Sequence, residues 1–183
     1  DNDGDIDGLF AIGTGRAAIR IDGALTGNLV HTGTIVVEGN NSAGIRAAGP
    51  ITGNVTHEGR TTVTGNNSLG VGLGDVSGNV RLAGEIIARG ANTQGAVLAG
   101  DIGGALRVQS TMTVSGYRTV PAPADVSRLD ADDLLQGGSA LVFDRLTFHY
   151  PSRPAQAALA DFSLAVQPGQ TVALVGPSGA GKT

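Results

Sequence analysis

TGNLVHTGTIVVEGNNSAGIRAAGPI at residues 26–51 is followed at once by TGNVTHEGRTTVTGNNSLGVGLGDV at 52–76 and SGNVRLAGEIIARGANTQGAVLAGDI at 77–102. A fourth, partial copy, GGALRVQSTMTVSGYR, occupies residues 103–118. The leading glycines Gly27, Gly53, Gly78 and Gly104 are 26, 25 and 26 residues apart. Upstream, Ile19, Arg20 and Gly23 precede Ile45, Arg46 and Gly49 by 26 residues, so the repeat begins before the first full copy. A fixed period of this length is the mark of a repeat architecture, in which each unit buries its apolar face only against its neighbours.

Inside each copy, short apolar alternations such as Ile35–Val37, Ile86–Ile87 and Val97–Leu98 are broken by Gly, Asn or Thr. Period-two runs of three to five residues between such breaks read as strand, turn, strand, and no helical period competes with them. The expected fold is therefore mainly β: a right-handed parallel β-solenoid over about residues 9–118, one coil per repeat, with a thin column of Val, Ile, Leu and Ala inside. Glycine and asparagine suit corners that need positive φ. The pairs Asn40–Asn41 and Asn66–Asn67 are expected at such corners, with amide ladders running from coil to coil.

The grammar GNV…G…NNSxG, with DIGGALRVQSTMTVSGYR at 101–118 and its continuation APADVSRLDADDLLQGGSALV, resembles the passenger regions of bacterial autotransporter-type surface proteins. The resemblance covers roughly three quarters of the chain. It implies an exported stalk or adhesive surface at the outer membrane or cell surface, and it implies no enzyme site.

Composition sets outer bounds. The 183 residues carry a net charge of -4, which argues against a nucleic-acid partner. Thirty glycines without a Gly-X-Y period exclude collagen, and the absence of cysteine excludes disulfides and thiolate metal sites. No run of about 18 apolar residues is long enough to span a membrane as a helix, and no signal-peptide pattern opens the sequence. Starting at Asp1 and stopping at Thr183, where a helix is due, the chain reads as a fragment.

Several features look like chemistry and are read as scaffold. DNDGDIDG places Asp3, Asp5, Asp7 and Gly8 at EF-hand positions, but Thr14 stands where a bidentate Glu is needed, so a solvated turn is expected. The sequons at Asn40, Asn54 and Asn66 arise readily in an Asn- and Thr-rich repeat. His31 and His57 are 26 residues apart and stack on adjacent coils. A metal site there is conceivable, and an exposed histidine stripe is the expected outcome. Arg20 and Arg46 stack by the same logic and are expected to be solvated.

From Thr119 the grammar loosens into TVPAPAD and then DVSRLDADDLLQGG, a linker or atypical solenoid extension over 119–142, with a short capped helix expected to end at Gly137. After Val142 the repeat is gone, and Phe143, Phe148, Tyr150 and Phe162 supply four of the chain's six aromatics. The last 41 residues, 143–183, end in TVALVGPSGAGKT. Gly176, Gly181, Lys182 and Thr183 satisfy the phosphate-loop pattern, and an apolar strand leads into it as that loop requires. Gly176, Gly179 and Gly181 let the backbone turn its N–H groups onto phosphate oxygens, with Ser178 and Ala180 completing the loop. Lys182 would reach the β- and γ-phosphates, and the Thr183 hydroxyl would ligate Mg²⁺.

FHYPSRP at 148–154 followed by LVGPSGAGKT resembles the nucleotide-binding domain of exporter-type ABC transporters, cut at Walker A. That resemblance implies ATP and Mg²⁺ as cofactors and Tyr150 stacked on adenine, with Pro151 and Pro154 shaping the turn. It implies Pro168–Gly169 as the turn into the P-loop strand. For a complete domain it also implies a transmembrane domain and a second nucleotide-binding domain as partners, at the cytoplasmic face of the inner membrane. The family's Walker B Asp, catalytic Glu, signature and switch His all follow the P-loop, so residues 1–183 are not expected to hydrolyse ATP. LQGGS at 135–139 precedes the loop and is in the wrong order to be the signature. Solenoid and ATPase belong to opposite sides of a cell envelope. The join near Leu141–Asp144 is accordingly expected to be a gene-fusion scar or an assembly error joining two fragments.

Overall fold

The computed structural model describes residues 8–116, 127, 137–149, 157–167 and 170. Strands recur in a fixed cycle. The first coil holds β1 (Gly8–Ile12), β2 (Ala17–Ile21) and β3 (Leu25–Thr26); the second holds β4 (Leu29–His31), β5 (Thr34–Glu38), β6 (Ala43–Ala47) and β7 (Ile51–Thr52). The third adds β8 (Val55–His57), β9 (Arg60–Thr64) and β10 (Leu69–Leu73), and the fourth β11 (Val80–Leu82), β12 (Glu85–Arg89) and β13 (Gln94–Leu98). The last supplies β14 (Leu106–Val108), β15 (Thr111–Ser115) and β16 (Leu141–His149), to which β17 (Ala157–Val166) is attached.

Strands in equivalent positions stack in parallel into sheets ordered β1-β5-β9-β12-β15, β4-β8-β11-β14 and β2-β6-β10-β13-β16, the last extended by β17. A fourth side is made by β3 and β7 and continued by single bridges from Ile51 to Val76 and from Val76 to Ile102. This is the expected β-solenoid, and no α-helix occurs among the described residues. The register matches the repeat: Ile35 faces Thr61, which faces Ile86, and Val55 faces Val80. One side chain per coil at each inward position builds the core, with Ile35, Val63, Val80, Leu82 and Ile86 wholly buried. Each such aliphatic side chain contributes about 1.5–3 kcal/mol on burial.

The corners form as their residue types require. Asn41, Asn67 and Asn92 adopt φ of 56°, 53° and 55°, in the left-handed region that Asn tolerates. The expected ladders are present, and most run from side chain to backbone. Asn40 Oδ1 accepts from the Asn66 N–H at 2.8 Å, and Asn66 Oδ1 accepts from the Ala91 N–H at 2.9 Å. A second ladder joins Asn28 to the Asn54 N–H, Asn54 to the Asn79 N–H and Asn79 to the Ala105 N–H, at 2.9, 2.8 and 2.7 Å. After each left-handed Asn comes a buried hydroxyl: Ser42, Ser68 or Thr93. These donate one coil back to the carbonyls of Gly13, Gly39 and Gly65. Corners that would otherwise leave buried backbone groups unpaired are satisfied in this way.

The composition change at residue 142 falls within β16. That strand pairs in parallel with β13 through Ala96–Leu141, Val97–Val142 and Leu98–Phe143, so it occupies the next place in the stack. β17 then folds back antiparallel onto it, with irregular register after Phe143. The helix expected to end at Gly137, the acidic opening Asp3–Asp5–Asp7 and residues 119–136 of the 119–142 linker, Ser127 apart, lie outside the described residues, and the linker's last two residues are in β16.

Candidate functional site

The phosphate-loop candidates Gly176, Ser178, Gly179, Ala180, Gly181, Lys182 and Thr183 lie outside the described residues, as do Tyr150, Pro151 and Pro154. What is described is the pair of antiparallel strands on either side of residues 150–156. Its first strand ends at His149, one residue before Tyr150, and its second runs Ala157–Val166. Phe143 and Phe162 cross the hairpin with ring centroids 6.0 Å apart and planes tilted by 49°, a geometry aromatic pairs favour. DFSLAV at residues 161–166 is in β17. Beyond it the Gln170 N–H donates to the Gln167 carbonyl at 3.1 Å, and the Gln167 N–H donates to Gln170 Oε1 at 2.9 Å.

Within the solenoid, the histidines correct the expectation of an exposed stripe. His31 and His57 are in register on β4 and β8 and are both buried, 7% and 1% exposed. The cause is period two: Leu29 and Val55 face inward, so the residues two further along do too. The rings stack with centroids 4.9 Å apart. His57 Nε2 shares a 2.9 Å hydrogen bond with Thr61 Oγ1, while His57 Nδ1 and both His31 nitrogens have no partner among the described residues. A Cβ at Gly59 would stand 2.6 Å from His31 Cε1, so only glycine leaves that ring its place. Burial, reinforced by the neighbouring His31, pushes the His57 pKa down to about 4, and burial also lowers that of His31. No group of three or more His, Cys, Asp or Glu able to hold a metal exists among the described residues. Two imidazoles enclosed by aliphatic side chains are a core pair.

Arg20 and Arg46 are exposed, as expected, and in register on β2 and β6. Sequence reasoning did not find the hydroxyls of Ser42, Ser68 and Thr93 or the Asn28–Asn54–Asn79 ladder. The signal was present: in each of the three full copies a small hydroxyl follows NN or AN, and Asn follows the leading glycine.

The described fold is thus a β-solenoid whose last coil carries a β-hairpin. Comparison with known proteins adds a transporter component. Over 46 residues, a quarter of this chain, it is 54% identical to the ABC multidrug transporter MDR2 of Trichophyton tonsurans. It is likewise 54% identical over 41 residues, 22% of the chain, to the ABC-type transporter fsqE of Aspergillus fumigatus. A longer stretch of 59 residues, 32% of the chain, is 42% identical to MDR2 of Trichophyton interdigitale. The matched stretches span only 3–4% of those transporters. They support an ABC-transporter nucleotide-binding region in the chain. No family model and no solved structure matches it.

Proposed function

We propose that residues 143–183 are the ATP-binding start of an ABC-type ATPase domain, joined to a non-enzymatic surface-protein solenoid. The observation that carries this is the phosphate loop at 176–183, in a chain that matches ABC transporters at 54% identity over a short stretch. Backbone N–H groups at Gly176, Ser178, Gly179, Ala180 and Gly181 cradle the phosphates. Lys182 neutralises the β- and γ-phosphates, Thr183 holds Mg²⁺ and Tyr150 stacks on adenine. In a complete domain this half-site works with a transmembrane domain and a second nucleotide-binding domain.

Mg²⁺–ATP is expected to raise the melting temperature of the 183-residue chain. At a hundred times the dissociation constant, ligand adds about 2.7 kcal/mol to the domain that holds it. Lys182→Ala is expected to abolish the shift. No shift in the parent chain, or an equal shift in the variant, overturns the ATP reading and leaves the second one. That second reading, a non-enzymatic scaffold or adhesin of the autotransporter type, is favoured by the stacked coils over Gly8–Ser115.

The join near residue 142 is, on this proposal, a gene-fusion scar or an assembly error joining two fragments. The pairing of β16 with β13 requires no common ancestry. An open sheet edge accepts any strand of suitable apolar alternation, and Leu141 and Phe143 supply it. One uninterrupted read of the source DNA across codons 130–183 is expected to find two separate genes or a recent fusion. A single frame flanked on both sides by solenoid repeats would overturn this.

A further inference from the structure

The outer face of the β2-β6-β10-β13 sheet forms a shallow groove of about 550 Å³ that runs across four coils. One end is set by Arg16, Arg20 and Arg46, and one bank by Asn41, Asn67 and Asn92, a single amide per coil. Among the described residues no aspartate or glutamate lines it, although acids outnumber Lys and Arg in the chain by 16 to 12. The net negative charge therefore conceals a local positive site.

The arginines are placed at an energetic disadvantage. Arg20 and Arg46 are direct partners on adjacent strands, about 4.8 Å apart at the backbone, and like charges in that relation repel. Arg20 is relieved by Asp22, whose Oδ2 lies 2.7 Å from its Nε. Neither Arg16 nor Arg46 has an ion-pair partner among the described residues. An anion laid over this end would neutralise the stacked guanidiniums together. Further along, Gly72 and Val97 follow Arg46 in register and make a low floor. The amides of Asn41, Asn67 and Asn92 are exposed beside it.

We propose that this groove binds a linear acidic glycan, its carboxylate or sulfate groups on Arg16, Arg20 and Arg46 and its hydroxyls on the asparagine bank. Each Asn amide both donates and accepts, matching hydroxyl groups, and the coil spacing is comparable with the length of one sugar ring. Single-stranded nucleic acid fits less well, because no aromatic side chain among the described residues lines the groove to stack a base. An acidic peptide could add as a strand only at the outer edge of β2, beside the groove and not along it, because β6, β10 and β13 are each paired on both sides.

The test is titration calorimetry of the full 183-residue chain with an oligogalacturonate, a heparin oligosaccharide and a single-stranded DNA of matched charge. Binding of either glycan is expected, weakening with salt, and the one preferred identifies carboxylate or sulfate as the anion. Arg46→Ala is expected to weaken it about tenfold, the loss of one charge-assisted contact. Arg89→Ala removes the same charge at an exposed site outside the groove and is expected to change binding less than twofold. Both residues are exposed, so circular dichroism of each variant should match the parent. The proposal is overturned by no binding of either glycan, by equal losses in the two arginine variants, or by DNA binding as tightly as the better glycan.

Discussion

Acidification from pH 6.5 to about 4 is expected to cost the solenoid about 3 kcal/mol through His57 alone. The native ring is held neutral, with its pKa lowered from 6.5 to about 4, while the unfolded ring titrates near 6.5. Above both values each state is unprotonated and the pair carries no penalty. Between them the unfolded chain binds the proton and the native chain does not, so stability falls as pH falls. Below about 4 the loss levels off. His31, lowered in the same direction, adds to it. The outward charges nearby, Glu58 with Arg81 and Arg60 with Glu85, are exposed or half-exposed surface pairs whose contribution is small.

The register supplies the control. Leu82 occupies the position of His57 on the next coil, so the column already accepts leucine. Thr61 lies between Ile35 and Ile86 and needs its hydroxyl only for His57. The variant His31→Leu/His57→Leu/Thr61→Val is therefore expected to keep its fold and to lose the acid sensitivity between pH 6.5 and about 4, read from urea midpoints at several pH values. Parallel losses in parent and variant would show that the imidazoles are not what acid attacks.

The histidines also mark where sequence reasoning stops. The spacing of Gly27, Gly53, Gly78 and Gly104 is enough to define a coil, because a stack can be built only if equivalent residues meet. It says which residues share a column but not which way the column points. For Val and Ile, polarity decides that question. For histidine, polarity points outward while its phase with Leu29 and Val55 points inward, and phase wins because a strand cannot turn one residue alone. Arginine at Arg20 and Arg46 raised no such conflict, and there the expectation held. Asn41 and Asn67 were legible as corners for a different reason: few residues other than glycine adopt φ near 55°. The phosphate loop is the opposite case. Its residue types are specific at the level of sequence, and its geometry lies outside the described residues.

A methyl group added at Gly70 is expected to destabilise the solenoid by about 3 kcal/mol, while the same addition at Gly72, two residues along the same strand, is expected to be neutral or mildly stabilising. Both glycines are in β10, both are buried, and neither has positive φ, so backbone strain does not separate them. What separates them is what a Cβ meets. At Gly70 it would collide with the Gly95 carbonyl oxygen on the next coil and lie 2.5 Å from Ile86 Cγ2 across the core. The carbonyl is fixed by the ladder and cannot rotate away. Gly44, one coil earlier, is hemmed in the same way, with the Gly70 oxygen 2.6 Å from its Cβ position, so glycine recurs here because the two sheets approach too closely for any side chain. At Gly72 the Cβ meets only Leu69 Cδ2 at 2.5 Å, the far end of a half-buried side chain that can change rotamer. Its partners in register, Arg46 and Val97, already carry side chains. Gly72→Ala also restricts the unfolded chain, which favours the native state by about 0.4–1 kcal/mol. Urea unfolding of Gly70→Ala and Gly72→Ala decides the matter. Equal midpoints for the two variants would mean that the sheets can part at the glycine column, and that the core is not the close-packed stack from which the fold derives its stability.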